Sequence, residues 1–234
     1  MDLQLDHKPQ FVLPFRLFLS GPSNSGKSLF ILRLIQNLDL VFESQFKTIF
    51  YCHPYYDTLG EKDKKLMNDL KLAYPSIIIT HEIPPLLDLQ RLDAPTLLIL
   101  DDLISSIVKN ESMAHLYSIY SSHCNVSIIT TTQNYFEPGK FSKTIIRNQT
   151  ILVLFQTNSD RQSTNIITRQ IFPGQSHFLE HCFLWLVHHV KKREHRYLIV
   201  NCQVNSKTPP SFPQVSTNLF SEFESDGPIF FAPS

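Results

Sequence analysis

Residues 15–28 read FRLFLSGPSNSGKS, a mostly apolar run that leads directly into the pattern GxxxxGKS. Leu17, Phe18 and Leu19 have the character of a buried parallel strand. After the glycine-rich stretch, Ile31, Leu34, Ile35 and Leu38 recur at i, i+3, i+4 and i+7, one face of a helix. A glycine-rich turn between a strand and a helix is the context that a phosphate loop requires. The residues Gly21, Pro22, Ser23, Asn24, Ser25, Gly26, Lys27 and Ser28 would cradle a nucleoside triphosphate, read here as ATP. Gly21 and Gly26 are expected to permit the dihedrals that turn successive N–H groups inward. Lys27 is expected to place its ammonium against the β/γ-phosphates, and Ser28 to offer a hydroxyl to Mg²⁺.

Further along, TLLILDD (residues 96–102) sets apolar residues before two aspartates, the form of a buried strand ending at a catalytic edge. In phosphate-loop enzymes of this type, such an aspartate organises Mg²⁺ and the next carboxylate polarises the attacking water. Asp101 fits the first role and Asp102 the second, although Asp102 reaches one methylene less than a glutamate would. A later apolar strand, 126–130, ends in Thr131-Thr132-Gln133-Asn134, and the Gln133 amide is suited to sense the γ-phosphate or hold the lytic water. The sheet is expected to carry Asp101 and Gln133 on strands flanking the phosphate-loop strand.

The rest of the chain fits one α/β domain. Residues 47–52, 77–80, 151–155 and 197–202 read as strands, and 60–74, 86–92 and 175–190 as helices. A further helix capped by Asp160 would present Ile166, Ile167 and Ile171. Residues 135–149 read as a loop bearing Lys140, Lys143 and Arg147. With 234 residues and 42% hydrophobic content, the chain has enough for one core and little for a second. The expected organisation is a domain over 1–205 and a Ser/Pro-rich disordered tail over 206–234, whose phenylalanines interleave with acids.

Twenty-one basic and twenty-one acidic residues cancel, so no global field draws the monomer to nucleic acid. Four dispersed cysteines form no CxxC pair, so neither a zinc ribbon nor a disulfide framework is indicated, and they read as reduced intracellular thiols. No stretch approaches eighteen apolar residues, so a membrane span is not expected. His177 to His181 (HFLEH) has the spacing of an inverted zinc-protease motif but lacks an evident third ligand. The basic run 191–196 (KKREHR) reads as a solvated turn that, in a ring, would contact DNA phosphates. No NKxD base-reading motif of GTPases occurs.

Taken in order, GPSNSGKS, LLILDDL, IITTTQN, GKFSKTIIRNQTILVLFQTNSDRQ and RQIFPGQ resemble the packaging ATPases of the FtsK/HerA superfamily. The resemblance covers residues 11–202 and is nearest the poxvirus-type branch found in polintons (Mavericks), adintoviruses and related double-stranded DNA viruses. It implies a RecA-like phosphate-loop NTPase sandwich of the ASCE group, three layers around a mostly parallel sheet. It also implies an ATP-driven motor moving double-stranded DNA into a preformed capsid, as a homo-oligomeric ring at a capsid vertex. The work would occur at an intracellular assembly site, the host nucleus ahead of the cytoplasm, with the virion as a further location. An arginine finger from a neighbouring subunit is implied too; Arg147 stands first, Arg169 second and Arg161 third, with Lys143 near the position where relatives carry their basic residue. Other oligomeric DNA-translocating or remodelling ATPases, and a nucleotide-binding structural switch with little turnover, are the alternatives.

Overall fold

The structure, a computed structural model, describes residues 11–42, 44–55, 58, 60–92, 94–156, 161–203, 213–220 and 228–232. In chain order, β1 (Arg16–Ser20) leads through the glycine-rich loop to α1 (Lys27–Gln36) and α2 (Leu38–Val41). Then come β2 (Thr48–Cys52), α3 (Glu61–Ala73), β3 (Ile78–Thr80), α4 (Leu86–Gln90) and β4 (Thr96–Leu100). Four short segments follow: α5 (Ile104–Ile107), α6 (Glu111–His115), a π-helical turn (Leu116–Tyr120) and α7 (Ser121–His123). The chain continues through β5 (Val126–Thr132), α8 (Ser142–Arg147), β6 (Ile151–Phe155), α9 (Arg161–Ile171), α10 (Phe178–His189) and β7 (Tyr197–Asn201). It closes with β8 (Gln214–Thr217) and β9 (Ile229–Phe231).

The strands form one sheet in the order β3-β2-β4-β5-β1-β6-β7-β8-β9. The first six in that order are parallel and the last three are antiparallel additions. Because side chains alternate along a strand, the apolar runs feed two cores at once. Leu17, Leu19, Leu97, Ile99, Ile151 and Val153 face the layer that holds α1 and α3. Phe18, Leu98, Leu100, Leu152, Leu154 and Leu198 face the layer built from the later helices. This is the three-layer α/β sandwich that the sequence predicts.

Several expectations change. The strand carrying Asp101 does not flank β1; β5 lies between β4 and β1, and the flanking strands are β5 and β6. Residues 135–149 hold the helix α8 rather than only a loop. Of the apolar face expected on α9, Ile167 is buried and Ile171 packs partly buried against the same core, while Ile166 is exposed and Thr168 is buried beside Ile167. The cap expected at Asp160 lies outside the described residues. The stretch 206–234 is not a wholly disordered tail, since β8 and β9 extend the sheet. Leu219 N–H donates to the Tyr197 hydroxyl over 3.0 Å, and the Phe220 ring meets Phe30 of α1 at 5.2 Å. On the other face Phe231 meets Trp185 of α10 at 5.5 Å. Among the described residues no helix is long and apolar enough to cross a membrane.

Candidate nucleotide-binding and hydrolytic site

The parallel strands β1, β4, β5 and β6 all end at one edge of the sheet, and the crevice beyond that edge is where open α/β sheets bind ligands. The phosphate loop lies there, between β1 and α1. Its two glycines serve different ends. Gly26 adopts φ 112°, which only glycine takes without strain, and it heads α1. Gly21 has no positive φ; it is needed because a Cβ there would lie 2.6 Å from Phe155 Cβ. Asn24, at φ 59°, supplies a second left-handed position that asparagine tolerates. The Gly21 N–H donates to Thr132 O over 3.1 Å, so the loop starts from the end of β5.

The loop is built to receive an anion. The first-turn N–H groups of α1 lack intrahelical acceptors and carry the positive end of the helix dipole. Ser25 is buried, and its Oγ has no hydrogen-bond partner among the described residues. Lys27 Nζ donates to the carbonyls of Gly21 (2.6 Å) and Pro22 (2.9 Å), holding the ammonium under the loop. Burial pushes the Lys27 ammonium below its ordinary pKa, and the carboxylates of Asp101 and Asp102 oppose that shift. Ser28, half-buried, follows on the first turn of α1. Pro22 and Ser23 complete the loop, with Ser23 exposed.

Asp101 is 9% exposed and is held on both oxygens. The Tyr51 hydroxyl, from the end of β2, donates to Oδ2, and Thr131 Oγ1, from the end of β5, donates to Oδ1 over 2.6 Å. Burial first, and then Asp101, push the Tyr51 phenol well above its ordinary pKa, so it remains a donor. Asp102 is exposed and sits at φ 60°, its N–H donating to Thr131 Oγ1 over 3.0 Å. Aspartate tolerates that left-handed backbone better than glutamate, because its short side chain can bond locally. Gln133 is exposed immediately past β5. The structure therefore gathers Lys27, Ser28, Asp101, Asp102 and Gln133 at one edge.

The arginines fall elsewhere. Arg147 ends α8 and is exposed; the neighbouring Asn148 carbonyl accepts from Arg16 Nε at the amino end of β1. That is the opposite edge of the sheet, roughly 16 Å along a five-residue strand from the loop. Arg169 is exposed on the last turn of α9, and Arg161 begins that helix. The basic run, by contrast, lies against the loop: a Cβ on Gly26 would come within 2.6 Å of the Glu194 carbonyl. Arg196 folds back, donating through Nε to the Val190 carbonyl at the end of α10, while Lys191 and Lys192 are exposed. His177 Nδ1 meets Glu180 Oε2 at 3.1 Å, with both His177 and His181 exposed. Among the described residues no group of three His, Cys, Asp or Glu could hold a metal ion.

Sequence reasoning missed Tyr51, Thr131, Phe155 and Glu194. Only Thr131 left a trace, as part of three consecutive threonines in an otherwise apolar strand.

Residues 4–208 match the Poxvirus A32 protein family. The chain belongs to that family. By family and by its phosphate loop it is an ATPase. No curated protein matches it. Among solved structures, it is similar to the genome packaging NTPase B204 from Sulfolobus turreted icosahedral virus 2 in complex with AMP. That match has 13% identity over 84% of this chain and 96% of that one, with TM-score 0.51, and the likeness is one of fold. The same NTPase in complex with ATP-gammaS gives 14% identity, 84% and 95% coverage and TM-score 0.49. The flagellar accessory protein FlaH from Methanocaldococcus jannaschii gives 17% identity, 63% and 76% coverage and TM-score 0.41.

Proposed function

We propose that this A32-family ATPase is the motor that moves viral double-stranded DNA into a preformed capsid, acting as a homo-oligomeric ring at a capsid vertex. The observation that carries the reading is the clamping of Asp101 by Tyr51 and Thr131 at the same sheet edge as Lys27. A carboxylate fixed on both oxygens beside a phosphate loop is organised for work on a polyphosphate rather than for a helix cap.

In this reading Lys27 and the α1 N-terminus bind the phosphates, and the unpartnered Ser25 hydroxyl donates to them. The Ser28 hydroxyl and the Asp101 carboxylate are hard oxygen donors of the kind that Mg²⁺ takes, so the pair fits the ion. Bound there, Mg²⁺ would neutralise charge developing on the phosphates. Asp102 accepts the proton of the attacking water, and Gln133 orients that water. Arg147 cannot reach its own loop across the sheet, so a finger role requires a neighbouring subunit. Lys191 and Lys192 at the loop edge, and Lys140 and Lys143 before and within α8, supply phosphate contacts to DNA without reading bases. Four free thiols suit an intracellular viral assembly site.

A second reading, a nucleotide-dependent structural switch with little turnover, draws on the short reach of Asp102. Nuclease-protected DNA accumulating in empty capsids with wild-type protein and ATP tests the motor reading. Asp101→Asn should abolish that accumulation, and its persistence in the variant would overturn the assignment.

A further inference from the structure

A cavity of about 460 Å³ opens from the phosphate loop and continues along α1 and α3. One end is formed by Gly26, Lys27 and Ser28, and Glu194 borders it. The walls beyond are Leu29 and Leu32 of α1, and Asp63, Lys65, Leu66 and Asp69 of α3. The two helices follow parallel strands, lie on the same face of the sheet and pack side by side. Both therefore descend from the carboxyl edge, and the groove between them leads away from the loop. Asp63 stands at the loop end, close enough to Tyr51 to bear on its ionisation. Asp69 is six residues further down, about 9 Å along the helix axis. That is the scale of the reach from the sugar-bearing phosphate of a nucleotide to the far edge of its base.

We infer that this cavity is the nucleoside subsite of the phosphate loop, and that Asp69 with Lys65 reads the amino edge of adenine. The inference rests on nucleotide binding at the loop. Leu29, Leu32 and Leu66 give apolar walls for the faces of a base. Asp69 is half-buried, and as a carboxylate it only accepts hydrogen bonds, while the Lys65 ammonium only donates. An acceptor beside a donor matches adenine, whose exocyclic amine donates next to ring nitrogens that accept. In the same pose hypoxanthine turns its O6 toward the carboxylate and its N1–H toward the ammonium, so both contacts become repulsive. Within this A32-family chain, base choice is thus assigned to α3, outside every motif that marks the site in sequence.

The test is calorimetric binding of ATP, ITP and inorganic tripolyphosphate to the full-length protein and to Asp69→Ala, Leu66→Ala and Lys27→Ala variants. The wild type should prefer ATP over ITP by about tenfold or more. Asp69→Ala should bring that ratio near one and leave tripolyphosphate affinity unchanged. Leu66→Ala should weaken ATP and ITP together, again sparing tripolyphosphate. An unchanged ATP-to-ITP ratio in Asp69→Ala overturns the subsite, as does a parallel loss of tripolyphosphate affinity. Failure of the loop reading itself would show differently, as Lys27→Ala binding all three ligands like the wild type.

Discussion

The Thr131 hydroxyl donates to Asp101 Oδ1 over 2.6 Å while accepting the Asp102 N–H over 3.0 Å, so one side chain at the end of β5 sets both acidic residues at the end of β4. Thr131→Val keeps the shape but leaves a buried carboxylate oxygen without its donor, at a cost of about 2 kcal/mol. ATP turnover should fall at least tenfold. Thr131→Ser, which restores the hydroxyl, should recover most of it. Steady-state hydrolysis and thermal melts of the two variants check this; equal turnover in Thr131→Val would remove the threonine from the site.

At Asp102 the left-handed backbone separates folding from chemistry. Asparagine tolerates φ 60° as well as aspartate does, so Asp102→Asn should melt with the wild type. A general base contributes roughly 10² to 10⁴ in rate, so turnover should drop by at least about a hundredfold. Asp102→Glu, though it keeps a carboxylate, should lose about 1 kcal/mol of stability to the backbone. An Asp102→Asn protein with normal turnover would assign the proton to another group.

His195 gives a pH signature. Burial first, and then the Arg33 guanidinium, hold its pKa below the ordinary 6.5. Just below 6.5 the unfolded chain therefore binds a proton that the folded chain refuses. Stability should rise with pH through that window and fall as pH drops through it. Melting midpoints measured between about pH 5 and 7 should show this slope in the wild type and a shallower one in His195→Gln. Identical slopes would mean that another group takes up the proton.

The C-terminal strands make a prediction about stability. Phe220 packs on Phe30, which also meets Tyr197 at 5.1 Å and Phe155 at 6.3 Å, behind the phosphate loop. Because Phe220 is only partly buried, Phe220→Ala should cost about 2 kcal/mol, below the range for fully buried phenylalanines. Deleting residues 206–234 should cost more, because it uncovers Tyr197 and Val215's partner strand β7. Denaturant unfolding measures both; a deletion variant as stable as the full chain would show these strands to be dispensable.

The contrast between what the sequence reveals and what it hides follows the range of the interactions. The phosphate loop is legible because glycines, lysine and serine act at fixed short spacing on one turn. Strands such as Ile151–Phe155 and Thr96–Leu100 are legible because burial on both faces makes them continuous apolar runs. Strand order is set by pairing between distant segments, so the insertion of β5 between β4 and β1 leaves no local mark. Tyr51 closes on Asp101 from fifty residues away, and nothing near Tyr51 announces it. Strands β8 and β9 span only four and three residues in a Ser/Pro-rich stretch, and their placement depends on Phe30, Tyr197 and Trp185. Helix α8 escaped because its six residues are too few to display a period.

The central claim, a shared hydrolytic site that drives DNA movement, is met most directly by steady-state ATP hydrolysis. Wild type and Lys27→Ala would be compared with and without linear double-stranded DNA, across a range of protein concentrations. The account predicts turnover that rises steeply with protein concentration, is stimulated by DNA and disappears in Lys27→Ala. Normal turnover in Lys27→Ala, or nucleotide binding without turnover under every one of these conditions, would contradict it.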